Sequence, residues 1–328
     1  MKQNLLIAAA LLITRAWTAD CVTAKVSEPA VYSGMCDASA AVALTDTLFA
    51  VASDEDSVIR IYSRAHGGPP AQSFDLATLL DLDTKKPETD LEGSARVGSR
   101  VYWITSHGRN KGGKERLSRE RFFATQITTN LHGVQLKLIG KPYEHLLRDL
   151  IHDPRLKRFN LAAAAQLEPK ARGALNIEGL SATPEGHLLI GFRNPIPGGK
   201  ALIVPLLNPD EVVRGKTARL GEPILLDLDG LGIRDMAVWN EKYLVAAGSF
   251  DGKGASHLYE WPGGSAKAQR VKHAHLNGLN PEAIIFYPDK GWEDVQVLSD
   301  DGRKLVNGKP CKECPPNKQQ FRSVWVKP

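Results

Sequence analysis

The residues best suited to chemistry sit in pairs of short polar motifs that recur along the chain. Asp90-Leu91-Glu92-Gly93 is followed by Thr105-Ser106-His107-Gly108-Arg109, and Asn176-Ile177-Glu178-Gly179 by Gly191-Phe192-Arg193-Asn194. Ile233-Arg234-Asp235-Met236 is followed by Gly248-Ser249-Phe250-Asp251, and Asn280-Pro281-Glu282-Ala283 by Ser299-Asp300-Asp301-Gly302. A weaker first copy runs from Cys36-Asp37-Ala38-Ser39 to Ser53-Asp54-Glu55-Asp56. If the copies converge, Asp37, Asp54, Glu92, Glu178, Asp235, Glu282 and Asp300 crowd one opening. Crowded carboxylates raise each other's pKa unless a cation intervenes, and hard oxygen ligands favour Ca²⁺ or Mg²⁺. Arg109 and Arg193 are then candidates for holding an anionic substrate against the metal, and His107, which titrates near neutrality, for moving the proton.

Such convergence needs a scaffold. Glu92 to His107 and Glu178 to Arg193 both span 15 residues, and Asp235 to Ser249 spans 14. Two strands of about 5–6 residues and a tight turn fill that distance, so both motifs of a pair lie at the same end of a hairpin. Apolar runs at 58–62, 122–127, 201–206, 257–261 and 321–326 supply a third strand per copy, and most copies have a fourth. Repeats of about 40–50 residues with four strands each read as propeller blades. The expected fold is therefore an all-β, five-bladed β-propeller, with six blades as the alternative. The last copy has only three strands, and an N-terminal strand near 22–32 completes it, closing the ring and removing its exposed edges. Between the second and third copies, Tyr143, Leu146, Leu147 and Leu150 fall at helical spacing and 161–167 is Ala-rich, which predicts a helical insertion near 142–170.

Residues 1–19 read as a secretory signal: Lys2, a short apolar run and small residues at Ala16 and Ala19. The remainder, 20–328, forms one domain, periplasmic or secreted, with no transmembrane segment once the signal is removed. The net charge of +5 falls to +3 without Lys2 and Arg15, too little to argue for nucleic acid. A monomer and a small anionic ligand are expected. Four cysteines in an exported chain imply two disulfides among Cys21, Cys36, Cys311 and Cys314, with three pairings open. A structural disulfide is the first reading of Cys311-x-x-Cys314.

Each functional reading has a plainer counterpart. Acids beside Gly at strand starts bond local backbone amides and fix turns without any ligand. The basic stretch His107, Arg109, Lys111, Lys114, Arg116, Arg119 and Arg121 is either a solvated loop or an anion-binding flap. His273-x-His275 has metal-ligand spacing but suits a packing pair equally. Nucleophile elbows, zinc-protease motifs, phosphate-binding loops and EF-hand loops are absent from the sequence.

The strings Ala52-Ser53-Asp54-Glu55-Asp56-Ser57, Asp90-Leu91-Glu92-Gly93-Ser94 with Trp103 through Asn110, and Asn176-Ile177-Glu178-Gly179-Leu180 with Gly191 through Pro195 resemble a bacterial family of unknown function, DUF3616. That family in turn resembles the esterase-like, phytase-related propellers. The resemblance spans about residue 36 to the end and implies a propeller, while leaving the activity open. Together with the motifs it sets two expectations: a metal-assisted hydrolase of an anionic (phosphate) ester, or a non-catalytic binding propeller.

Overall fold

A computed structural model describes residues 24–328 apart from 66, 84–87, 131–132, 273, 275 and 277. The expected signal segment, Cys21 and the His273-x-His275 pair lie outside the described residues. Five antiparallel sheets are arranged as a β-propeller. Blade 1 comprises Ala40–Ala43, Leu48–Ala52, Val58–Ser63 and Gln72–Asp75, and blade 2 comprises Leu91–Val97, Arg100–Thr105, Phe122–Asn130 and Gly133–Tyr143. Blade 3 is built from Asn176–Ala182, Leu188–Asn194, Ala201–Leu206 and Ile224–Leu226. Blade 4 is built from Gly232–Trp239, Lys242–Gly248, His257–Trp261 and Gln269–Arg270. Blade 5 has Pro281–Ile285, Val295–Ser299 and Gln320–Lys327. Its outer place is taken from the other end of the chain: Ala30–Ser33 and Lys25–Val26 both pair with Gln320–Lys327.

Each blade is apolar on both faces, because both faces are covered by neighbouring blades. The core accordingly divides into five clusters, one per blade interface. Ile61 and Ala50 meet Leu91 and Trp103 between blades 1 and 2, and Ile203 and Leu189 meet Ile233 and Val245 between blades 3 and 4. At the closing interface Tyr32, brought in by the N-terminal strand, packs against Phe49, Tyr62 and Phe321 with ring centroids 5.2–5.4 Å apart. Ring closure is thus made by an aromatic cluster as well as by strand pairing.

The insertion is helical as its spacing predicts, with Leu146–His152 burying Leu146, Leu147 and Leu150. They join the cluster between blades 2 and 3, so the insertion caps that interface. The Ala-rich stretch forms only one turn, Leu161–Ala164. A hairpin turn at Asn240-Glu241 takes positive φ at both residues (49° and 66°), the backbone that matches strand twist in a two-residue hairpin.

Among the described residues one disulfide, Cys36–Cys311, clips the start of blade 1 to the outer loop of blade 5. Cys314 is a buried free thiol, so the Cys-x-x-Cys does not close on itself. The near neighbour in sequence loses to a distant one, because ring closure brings Cys36 beside Cys311 across the seam. A disulfide fits an oxidising compartment. No helix among the described residues is long and apolar enough to cross a membrane.

Candidate functional site

The innermost strands of blades 2 to 5 each carry a register shift near their start. Leu91 pairs with Thr105 and Gly93 with Ile104, which skips Glu92. The same shift skips Glu178 in blade 3, Arg234 in blade 4 and Glu282 in blade 5. An extra residue of this kind has no cross-strand partner and bends the strand, re-aiming its side chain. All four skipped side chains line one central cavity. The glycine that follows two of them answers to packing: a Cβ on Gly93 would stand 2.9 Å from Leu180 Cβ, and one on Gly179 2.7 Å from Ile233 Cγ2.

Blade 4 corrects the sequence reading by one residue. The equivalent of Glu92 is Arg234, not Asp235. Asp235 turns away from the cavity, buried, and its Oδ2 accepts a hydrogen bond from Ile284 N at 2.7 Å, tying blade 4 to blade 5. Burial pushes this carboxyl well above the usual range, against the pull of its backbone amide partners. An acid whose folded pKa is raised binds more protons folded than unfolded, so its contribution falls as pH rises above its unfolded value near 4. Asp235→Asn should therefore be more stable than the parent at pH 8 and lose that advantage by pH 4. Urea midpoints at the two pH values check this, and an advantage unchanged between them would reject it.

The cavity has a volume of about 1120 Å³. Of the expected site residues, Asp54, Glu92, Glu178, Arg193, Glu282 and Asp300 line it; Asp37, His107, Arg109 and Asp235 do not. Asp37 lies just behind the wall, paired in register with Asp300. His107 is buried, its Nδ1 2.8 Å from Thr105 O and its Nε2 without a hydrogen-bond partner. Burial lowers its pKa to about 4, and its ring does not line the cavity. Arg109 is not an anion grip. It donates to Ala165 O at 2.9 Å, Gly113 O at 3.1 Å and Gln166 Oε1 at 2.5 Å, and so pins the insertion to blade 2.

The cavity wall divides by charge. On the side of blades 3 to 5, Arg193 Nη1 lies 2.5 Å from Glu178 Oε1, and Arg234 Nε lies 3.0 Å from Glu178 Oε2, near but off the line of a hydrogen bond. The Nη2 of Arg234 pairs with Glu282, which also accepts from Asn280 Nδ2 at 3.1 Å. Glu178 and Glu282 are thus already neutralised by arginine, which corrects their expected place among metal ligands. Asp300 accepts from Asn280 Nδ2 at 2.9 Å and from Gly302 N at 2.8 Å.

On the side of blades 1 and 2, Asp54 and Glu92 lack such a partner among the described residues. Asp54, Asp90 and Glu92 offer oxygen atoms all within 4.8 Å of one another, as do Asp37, Asp54 and Glu55, and these clusters could hold a metal ion. Arg119 serves Asp90 at 2.8 Å and Glu88 at 2.7 Å. Glu92 is only 8% exposed and makes no hydrogen bond or ion pair among the described residues. Asp54 Oδ1 is buried without a partner. Burial, and then the charge of Asp37, pushes Asp54 well above the usual carboxyl range; burial, then Glu178, does the same to Glu92. Asp37 is raised to about 8 by burial and Asp300, and Glu88 to about 7 by burial and Asp90. Asp90, Glu88 and Arg119 were not among the expected ligand set. Asp90 was within reach, since it opens the very motif that contains Glu92.

Fold and opening together define a five-bladed propeller whose inner strands bulge to aim charged side chains into a central cavity. The chain belongs to the family described as Protein of unknown function (DUF3616), which matches residues 37–127 and 118–287. No curated protein matches it in sequence. Among solved structures it is similar to Myxococcus xanthus glutaminyl cyclase, at 11% identity over 93% of this chain and 96% of that one, with a TM-score of 0.50. It is also similar to a putative oxidoreductase (glucose dehydrogenase) from Thermus thermophilus, at 15% identity over 92% and 99%, with a TM-score of 0.45. At such identities the likeness is one of fold.

Proposed function

We propose that this propeller is a cation-dependent hydrolase of a small anionic ester, with the cation held by Asp54, Asp90 and Glu92. The observation that carries the reading is the contrast across the cavity. Glu178 and Glu282 have arginine partners, whereas Glu92 and Asp54 Oδ1 have none and sit beside Asp90. Buried unpaired carboxylates are costly, and a hard divalent cation would relieve Asp54 and Glu92 together, with Asp90 as a third oxygen ligand. Calcium fits best, because it accepts irregular oxygen geometry and Mg²⁺ does not. Such a cation polarises an ester oxygen and acidifies bound water. Asp54, Asp90 and Glu92 would hold it, Arg119 orients Asp90 through their ion pair, and Arg193 lies on the facing wall where the ester's anionic group would rest.

A second reading, a binding propeller without turnover, is favoured by one specific feature: the described cavity wall contains no Ser, Cys, Thr, Tyr or His. Calcium titration of thermal stability separates the readings from each other and from a structural role. Calcium at a hundredfold excess over its Kd should add about 2.7 kcal/mol, and Glu92→Gln should remove the effect. Turnover in a panel of phosphate and carboxylate esters that tracks calcium occupancy supports the hydrolase. Stabilisation without turnover leaves the binder, and absence of stabilisation ends the cation-dependent hydrolase.

A further inference from the structure

We infer that Lys170, Arg193 and Arg303 form an oxyanion subsite that takes a phosphate-like group of the ligand on the wall facing the acid cluster. The inference rests on reading this cavity as a ligand site and names what its basic side binds.

All three side chains line the cavity. Arg193 is only 6% exposed. Its Nη1 is spent on Glu178 and its Nε on Ser249 O at 3.2 Å, whereas Nη2 makes no hydrogen bond among the described residues. Room is kept in front of that group: a Cβ on Gly252, which also lines the cavity, would come 3.1 Å from Arg193 Nη2. A buried guanidinium with a free N–H pair facing a polar cavity is an unfilled donor site.

Lys170 and Arg303 stand at the rim, exposed, and neither side chain has an ion-pair partner among the described residues. Both line the same cavity as Arg193. The Lys170 amine is lowered by burial first, then by the charges of Arg303, Arg193 and Arg234. Glu178, whose charge opposes theirs at Lys170, already serves two arginines, and Glu168 Oε2 accepts from the Lys170 backbone N at 3.2 Å. Like charges gathered on one wall cost free energy that an incoming anion would recover in part.

The segment carrying Lys170 is held in place. Asn194 Nδ2 donates to Pro169 O at 3.1 Å and to Ala171 O at 2.7 Å, on either side of Lys170. Arg109 grips the same insertion at Ala165 and Gln166. Arg109 and Asn194 are thereby positioning residues for the subsite. Guanidinium and ammonium groups arranged around one space suit a group with several anionic oxygens better than a single carboxylate.

The test is isothermal titration of the full chain in EDTA with inorganic phosphate, with acetate alongside. Phosphate should bind, and acetate at least tenfold more weakly. Lys170→Ala and Arg303→Ala should each weaken phosphate roughly tenfold, as expected for loss of one charge-assisted contact. Both residues are exposed, so the variants should fold. Lys253→Ala removes a neighbouring exposed cation that does not line the cavity and should change nothing. Absence of phosphate binding, equal affinity for acetate, or an equal loss in Lys253→Ala overturns the assignment. Because the titration excludes divalent cations, phosphate binding stands or falls independently of calcium: a protein that binds phosphate here but no calcium refutes the proposed cation site alone.

Discussion

Arg234→Met should lower unfolding free energy by about 3–5 kcal/mol, the usual cost of breaking a buried ion pair by removing one partner. The guanidinium is 3% exposed and bridges two blades, reaching Glu178 in blade 3 and Glu282 in blade 5 from the bulge of blade 4. Without it Glu178 keeps Arg193, but Glu282 keeps only the amide of Asn280. The loss therefore comes chiefly from Glu282, left charged and desolvated. Guanidinium chloride midpoints give the size of the effect. The double variant Arg234→Met with Glu282→Gln should recover more than half of it, since removing both charges avoids the orphaned one. Recovery of nothing would mean that Arg234 acts through packing of its stem. A single-variant loss under about 1 kcal/mol would place the pair among weak, solvated bridges.

Blade count, the third strands, the N-terminal closure and the insertion all followed from sequence, because each depends on where apolar runs start and stop. The cavity was legible for the same reason: a hairpin-length gap from motif to loop, 15 residues after Glu92 and Glu178 and 18 after Glu282, puts all three at one end of equivalent hairpins. What misled was aligning copies by their acids. Lined up on the apolar residue instead, Leu91, Ile177, Ile233 and Pro281 coincide, and Arg234 falls beneath Glu92, Glu178 and Glu282. The bulge, a backbone feature, decides which side chain enters the cavity, and hydropathy gives it no signature. His107 and Arg109 were misplaced for a different reason. Their loop packs under the insertion, and contacts from Arg109 to Ala165 and Gln166 join residues more than fifty positions apart. Pairwise neutralisation was also out of reach. Composition shows acidic and basic residues in comparable numbers, 37 and 42, and only geometry shows that arginine reaches Glu178, Glu282 and Asp90 but not Glu92 or Asp54.

Replacing both bridging cysteines, Cys36→Ala with Cys311→Ala, should cost about 2–5 kcal/mol. The bridge closes a loop of 275 residues, nearly the whole described chain, and long loops lose the most entropy when tied. It also lies at the seam of the ring, where blade 5 borrows its outer strands from the N-terminus. The site should respond too. Asp37 follows Cys36 directly, Asp301 N donates to Cys36 O at 2.9 Å, and Lys312, next to Cys311, pairs with Glu55 at 2.5 Å. Unclipped, the Asp37 and Glu55 side of the acid cluster loses its fixed spacing, so calcium affinity should fall along with stability. Melting with and without reductant, each with and without calcium, resolves the two effects. A parent protein whose melt ignores reductant would show that strand pairing alone closes the ring. If the variant keeps full calcium stabilisation, the clip holds the fold and has no part in shaping the acid cluster.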